Sequence, residues 1–253
     1  VDKVVRFGIL GTVGVWRDGL AVPVGGARQR RMLAALLLDP GRVIPAARLI
    51  DVLWDDPPDS AVKQLHNCVA EVRRRLAAGG LDPALLSTET TGYLIRADPD
   101  SIDYSRFVRM TGEGRGKARN GELAGAIERF DAALALWRGP ALVDVTGRVL
   151  TSIAATFNEQ RLAAVEERTA LLLESGRQEE AAVEAARWFT EHPARESLAA
   201  LLMRSLYGAG QQVDALEVYR VLRSRLTEDY GIEPSRRLND LHAAILRRED
   251  LPT

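Results

Sequence analysis

Between residues 4 and 24 short apolar runs alternate with turn residues. Residues 4–10, 13–16 and 20–24 predict three strands, with Asp18-Gly19 as a hairpin turn. From residue 27 the apolar spacing lengthens to the helical period. Residues 27–38 predict a helix with Met32, Leu33, Leu36 and Leu37 inward, stopped by Pro40-Gly41. Residues 44–54 predict a second, with Pro45 in its first turn. Its apolar face is Leu49, Ile50, Leu53 and Trp54, the tryptophan serving as a core anchor. The run DDPPD at 55–59 breaks that helix, and Ser60 offers an N-cap to a third over 60–77, closed by Gly79-Gly80. There Leu65, Val69, Val72 and Leu76 share one narrow face, and Lys63, Asn67, Ala70 and Arg74 share the opposite one. His66 and Arg73 lie on one flank, Gln64 and Glu71 on the other. Two β-like runs, 85–89 and 92–96, flank Thr90-Thr91-Gly92 as a terminal hairpin.

After Asp98 the pattern changes. Pro99 marks a linker of a few residues, and from Tyr104 to Arg248 the helical period dominates with no convincing strand. Three segments begin alike: GELAGAIERF from Gly121, GRQEEAAVEA from Gly176 and GQQVDALEVY from Gly210. Each carries an alanine five residues on, at Ala126, Ala181 and Ala215, followed by Ile127, Ala182 or Leu216. Nine residues after the glycine stands Phe130, Ala185 or Tyr219. The last two glycines are 34 residues apart, the tetratricopeptide period. Such repeats stack into a curved solenoid whose concave surface usually binds protein. TGEGRGK at 111–117 fails the P-loop pattern, because Thr111 replaces the first glycine and Ala118 follows Lys117. It is read as a flexible link between helices. Gly8, Gly11 and Gly14 lack G-x-G-x-x-G spacing and are read as sheet glycines.

Three strands, three helices and a hairpin in about one hundred residues describe a winged helix-turn-helix. The fold class expected is therefore α+β, with a small N-terminal antiparallel sheet, three helices and a C-terminal wing. An all-α tetratricopeptide-like helical repeat domain follows it. The boundaries are 1–97 and 98–253.

Composition narrows the chemistry. An apolar fraction of 46% and a charged fraction of 27% suit a folded globular protein. No apolar run is long enough to span a membrane, and residues 1–6 mix Asp2 with Lys3 and Arg6, unlike a signal peptide. The single cysteine, Cys68, excludes intramolecular disulfides and a cysteine zinc cluster, and fits a reducing, cytoplasmic setting. It is read as core packing ahead of a redox switch. The net charge of −1 points to no partner, but residues 1–97 hold 13 Lys and Arg against 10 Asp and Glu. The cluster Arg73-Arg74-Arg75 and the group Arg28, Arg30 and Arg31 make that excess suggestive of nucleic acid. The histidines His66, His192 and His242 are scattered, and no metal-ligand or nucleophile motif appears. Neither an enzyme nor a cofactor is expected.

The segments FGILGTVGVW, ARQRRMLAALLLDPGRVIPAARLIDVLW and TTGYLI, with the arginine-rich third helix, resemble the OmpR-type DNA-binding domain. They resemble more narrowly the version in the Streptomyces antibiotic regulatory protein family. IDYSRF, ALALWRGPAL and YGAGQQVDALEVYRVLRSRLTEDYGIEPS resemble that family's bacterial transcriptional activation domain. Neither the receiver domain of OmpR-type regulators nor the ATPase of larger family members is expected from the residues 1–253. The resemblance implies head-to-tail binding of two protomers to direct repeats of double-stranded DNA near a promoter. It also implies contact with RNA polymerase holoenzyme and activation of antibiotic-biosynthesis genes, which would place the protein in the cytoplasm, on the nucleoid when DNA-bound.

Among candidate contacts, Asn67 can give a bidentate pair to adenine, Arg74 can reach guanine or phosphate, and Lys63 meets phosphate. Gln64, His66 and Glu71 lie at the edges. Glu71 can accept from a cytosine amine or pair with Arg74 or Arg75. Arg73 contacts DNA or pairs within the protein. Family members often place a basic residue in the wing. Here Thr90 and Thr91 offer hydroxyl or backbone contacts to phosphate instead, with Arg28 and Gln29 as further phosphate candidates. The alternative function is a ligand-responsive regulator or repressor whose repeats sense a small molecule or peptide. A scaffold whose winged domain binds protein is a third possibility.

Overall fold

The first apolar runs form an antiparallel meander of β1 (Val5–Gly8), β2 (Gly14–Arg17) and β3 (Leu20–Val22), in the order β1-β2-β3. Asp18 and Gly19 both have positive φ, 50° and 82°, as a tight hairpin with right-handed strand twist requires. This computed structural model describes residues 4–251; the start of the 1–6 segment and the last two residues lie outside the described residues. α1 (Ala27–Leu38) buries Met32, Leu33, Leu36 and Leu37, and both α2 (Ala46–Leu53) and α3 (Ala61–Ala78) pack on it. The wing is a second sheet of β4 (Ile44–Pro45), β5 (Leu86–Glu89) and β6 (Gly92–Ile95), in the order β4-β6-β5.

That sheet corrects the expected start of the second helix. Ile44 pairs with Tyr93 and Pro45 with Gly92, so both residues are strand, and the helix begins at Ala46. Proline is tolerated because β4 is an edge strand with no donor needed on its open side. A Cβ on Gly92 would stand 1.9 Å from the Ile44 carbonyl oxygen, so this close pairing demands glycine. Trp54 is not a core anchor either. Val52 takes the buried place, and Trp54 is half-buried with the Arg28 guanidinium 4.9 Å from its ring centre.

Seven helices follow: α4 (Asp103–Arg119), α5 (Leu123–Leu134), α6 (Arg148–Glu174), α7 (Gln178–Glu191), α8 (Glu196–Gly208), α9 (Gln212–Tyr230) and α10 (Arg236–Arg247). This α+β beginning and all-helical continuation is the expected fold class. The segment 111–117 is not a flexible link, since it lies within α4 with Thr111 buried. One of its glycines serves packing: the Phe130 ring comes within 3.0 Å of where a Gly114 Cβ would stand. The repeat glycines Gly121, Gly176 and Gly210 have φ of 78°, 79° and 79°. Each ends one helix in the left-handed region and precedes the next by two residues. Ala126, Ala181 and Ala215 behind them are all 0% exposed, which lets neighbouring helices close up.

The chain divides into two compact units. One takes in everything to Gly112 together with Ala132–Arg161; the other holds Glu113–Asp131 and the chain from Leu162. In the second, Arg168 on α6 pairs with Asp131 of α5 and with Glu180 and Glu184 of α7. Burial pushes the Glu184 carboxyl up, opposed by the Arg168 charge.

In the first unit the expected linker is a docked segment. Pro99–Ser101 forms a single 3-10 turn, Ile102 is 0% exposed, and it bridges to Phe7 of β1. Asp103 then accepts from the amides of Ile9 (2.9 Å), Leu10 (3.1 Å) and Tyr104 (2.8 Å), and pairs with Arg138 at 2.8 Å. Arg138 also lies over the Trp16 ring at 4.5 Å, and its own amide donates to the Leu10 carbonyl. Asp103→Asn abolishes the ion pair with Arg138 and removes one acceptor oxygen from two buried amides. It should cost about 3 kcal/mol of stability in urea unfolding, whereas a cost within ~0.5 kcal/mol would show that water replaces the carboxylate.

Candidate DNA interface

α3 buries Ala61, Leu65, Cys68, Val69, Val72 and Leu76 against the rest of its unit. Ser60 stands at its N-cap, but its hydroxyl accepts from the Gln64 side chain at 2.9 Å and caps no backbone amide. Burial raises the Cys68 thiol to about 11, so it stays protonated and packs as an apolar group.

Opposite that stripe, Lys63, His66, Asn67, Ala70 and Arg74 are exposed. Among the described residues, no side-chain partner engages Lys63, His66 or Asn67. Gln64 differs: its amide oxygen accepts from Arg28 at 3.0 Å, which ties the start of α1 to the start of α3. Gln29 accepts from the Gly26 amide at 3.1 Å and closes the first turn of α1. Arg30 and Arg31, grouped with Arg28 by sequence, are committed elsewhere. Arg30 pairs with Asp144 at 2.8 Å, and Arg31 donates to the Leu53 carbonyl and the Thr146 hydroxyl.

The three consecutive arginines also divide. Arg73 reaches across to the wing, with Nε 2.8 Å from the Leu86 carbonyl oxygen and Nη2 2.8 Å from Thr88 Oγ1. Arg74 holds Glu71 by two bonds, of 2.9 and 2.7 Å, and Arg75 holds the same carboxylate at 2.6 Å. Thr90 and Thr91 are exposed at the wing tip, and the Thr91 carbonyl accepts from the Ala46 amide at 3.1 Å. The fold adds two cations that the linear reading missed. Arg96 is 64% exposed beside Glu89, and Arg42 is 79% exposed in the turn whose Gly41 amide donates to the Ile95 carbonyl. The β4–β6 pairing and the Gly41–Ile95 bond bring the turn that carries Arg42 to the wing sheet, so spacing along the chain carries no signal for it.

Among the described residues no helix is long and apolar enough to cross a membrane, and no group of His, Cys, Asp and Glu could hold a metal ion. A helix buried on one side, polar on the other and braced by a hairpin through Arg73 defines a winged helix-turn-helix DNA-binding regulator. The family comparisons agree. Residues 24–95 match the model described as "Transcriptional regulatory protein, C terminal", and residues 102–246 match "Bacterial transcriptional activator domain". The chain belongs to the Streptomyces antibiotic regulatory protein family of transcriptional regulators.

The regulatory protein DnrI of Streptomyces peucetius is 36% identical over 252 residues, covering 96% of this chain and 93% of DnrI. The regulatory protein AfsR of Streptomyces coelicolor is 35% identical over 246 residues, covering 96% of this chain but only 24% of AfsR. The chain thus spans about a quarter of that larger relative. A solved structure of Mycobacterium tuberculosis EmbR, in complex with a low-affinity phosphopeptide, superposes with a TM-score of 0.93 at 32% identity. That match covers 99% of this chain and 67% of EmbR's.

Two outcomes follow from the arginine bonds. Arg73→Ala should leave α3 intact but speed amide exchange across Leu86–Ile95, because the wing loses both ties to the helix; unchanged exchange would mean that core packing alone seats the wing. The Glu71 carboxyl is pushed down to about 2, first by hydrogen bonds from Arg74 and then by those from Arg75. Its contribution to stability is therefore present above the ordinary carboxylate range and lost as pH falls through about 2. A carboxyl-carbon NMR titration should find Glu71 still ionised at a pH where unpaired glutamates are protonated.

Proposed function

We propose that this regulator is a sequence-specific activator that seats α3 in the major groove. In this reading residues 1–97 bind DNA and residues 98–253 form the activation domain. Two protomers lie side by side on direct repeats near a promoter and recruit RNA polymerase holoenzyme to antibiotic-biosynthesis genes. One module offers a modest interface, so selectivity needs the second copy. The action is cytoplasmic, on the nucleoid, and involves no catalysis. The supporting observation is the exposed Lys63–Asn67–Arg74 face of a helix whose other side is wholly buried.

Within this reading Asn67 reads adenine, Lys63 meets phosphate, and His66 and Gln64 lie at the edges of the footprint. Arg28, Gln29, Thr90 and Thr91 position the backbone. Arg73 acts through the wing it holds. A second reading, a regulator that responds to a small molecule or peptide, has one observation in its favour. The repeat unit contains a groove of about 820 Å³ between α6, α8 and α10, with Ala170, Ala200, Leu201 and Leu241 among its lining. Thermal shift against pathway products, beside in-vitro transcription with polymerase, separates the two readings.

Footprinting on the promoters beside the gene, with and without polymerase, should show a protected pair of direct repeats and enhanced polymerase occupancy. Asn67→Ala should reduce discrimination between operator and random DNA by roughly 1–3 kcal/mol. Lys63→Ala should weaken binding to every duplex and flatten the salt slope by about one. Equal losses on operator and random DNA for Asn67→Ala would remove it from base reading.

A further inference from the structure

The sequence Arg73-Arg74-Arg75 looks like a phosphate-binding cluster, yet none of the three is free in the unbound protein. Arg73 is bonded to the wing, and Arg74 and Arg75 both hold Glu71. Among the described residues Lys63 is the one cation of α3 without a partner. A carboxylate on a phosphate-facing helix is itself repelled by DNA, so Glu71 opposes binding twice, by its own charge and by occupying two guanidinium groups.

We propose that Glu71 is a specificity-determining residue that suppresses binding to random duplex more than binding to the operator. The proposal rests on the reading of α3 as the groove helix. In a loosely seated, non-specific complex Arg74 would exchange two bonds to a carboxylate for one contact to a phosphate. It would also leave Glu71 facing the phosphate backbone. Where Asn67 finds its base, the helix sits at full depth, and Arg74 meets a two-acceptor partner such as a guanine edge or a paired phosphate. That partner replaces both bonds. The cost of opening the Glu71 fork therefore falls chiefly on wrong sites, which is how a repulsive group creates selectivity. Arg74 is 68% exposed and on the outer stripe, so it can change partners without repacking.

The test compares the full chain with Glu71→Gln, Glu71→Gln/Arg74→Ala and Lys63→Ala, using anisotropy on a random duplex and on the footprinted promoter fragment across a salt series. Glutamine keeps the size and helix preference of glutamate, and far-UV circular dichroism checks that each variant is folded. One added phosphate contact steepens the logarithmic salt slope by about 0.9, which corresponds to roughly eightfold tighter binding at about 100 mM salt against a 1 M reference. Glu71→Gln should show that gain on random duplex and a smaller one on the promoter fragment, so that selectivity falls. Adding Arg74→Ala should remove the larger part of the gain, leaving what the lost Glu71 charge and the release of Arg75 contribute.

Unchanged binding of Glu71→Gln to random duplex overturns the proposal, as does a gain that removal of Arg74 does not diminish. A tenfold loss on the promoter fragment alone would instead make Glu71 a direct base reader. Lys63→Ala distinguishes the other failure: if it binds every duplex as the wild type does, α3 is not the groove helix, and the inference falls with that reading.

Discussion

The amides of Ile9 and Leu10 leave β1 with no strand partner, in a place where both side chains are 0% exposed. Buried donors of this kind need an acceptor, and no local residue supplies one. Asp103 does, from more than ninety residues away, and Arg138 in turn balances the carboxylate. The segment that follows Arg138 continues along the same sheet, with Leu142 and Val143 donating to the carbonyls of Ile9 and Gly11. Asp144 then accepts from Val13 and pairs with Arg30 of α1, and Thr146 meets Arg31. One carboxylate thus begins a chain of contacts that ends on the helix beneath α3. The frame that aims the outer face of α3 is built from both ends of its compact unit.

This arrangement separates charge from availability. Arg30, Arg31, Arg73, Arg74 and Arg75 all sit in the first hundred residues and all look basic in composition. Each is spent on a carbonyl, a hydroxyl or a carboxylate of the same unit. What faces solvent opposite the α3 core stripe is a small polar set around Asn67, flanked by one unpartnered lysine. Such a surface offers hydrogen-bonding groups in fixed places more than it offers net charge.

Much of this was legible from spacing. α1 and α3 follow from apolar residues recurring at helical intervals, and their ends from Gly and Pro, all of which act within a few residues. The repeat glycines and their alanines were legible for the same reason. What stayed hidden depends on distant partners. Ile44-Pro45 becomes a strand only because Gly92 lets β6 approach, and a two-residue strand has no period to detect. Pro99 reads as a linker because nothing near it announces that Ile102 and Asp103 will dock on the first sheet. The glycines of 111–117 signal flexibility in isolation, but in the fold they lie within α4, where Gly114 admits the Phe130 ring. For the candidate interface, the outer stripe and the pairing of Glu71 with Arg74 or Arg75 were readable from helical spacing, whereas the reach of Arg73 to Leu86 and Thr88 on the wing was not.

The three left-handed glycines at 121, 176 and 210 carry an evolutionary consequence. Each resets the chain direction at its own corner and hands over to a helix that starts two residues later. In a stacked repeat each helix pair contacts its neighbours, so its outward residues can be exchanged without disturbing the next pair. A scaffold of this kind lets sequence drift at positions that do not face a neighbouring helix. The outward surface is then free to vary, with the corners as its fixed points.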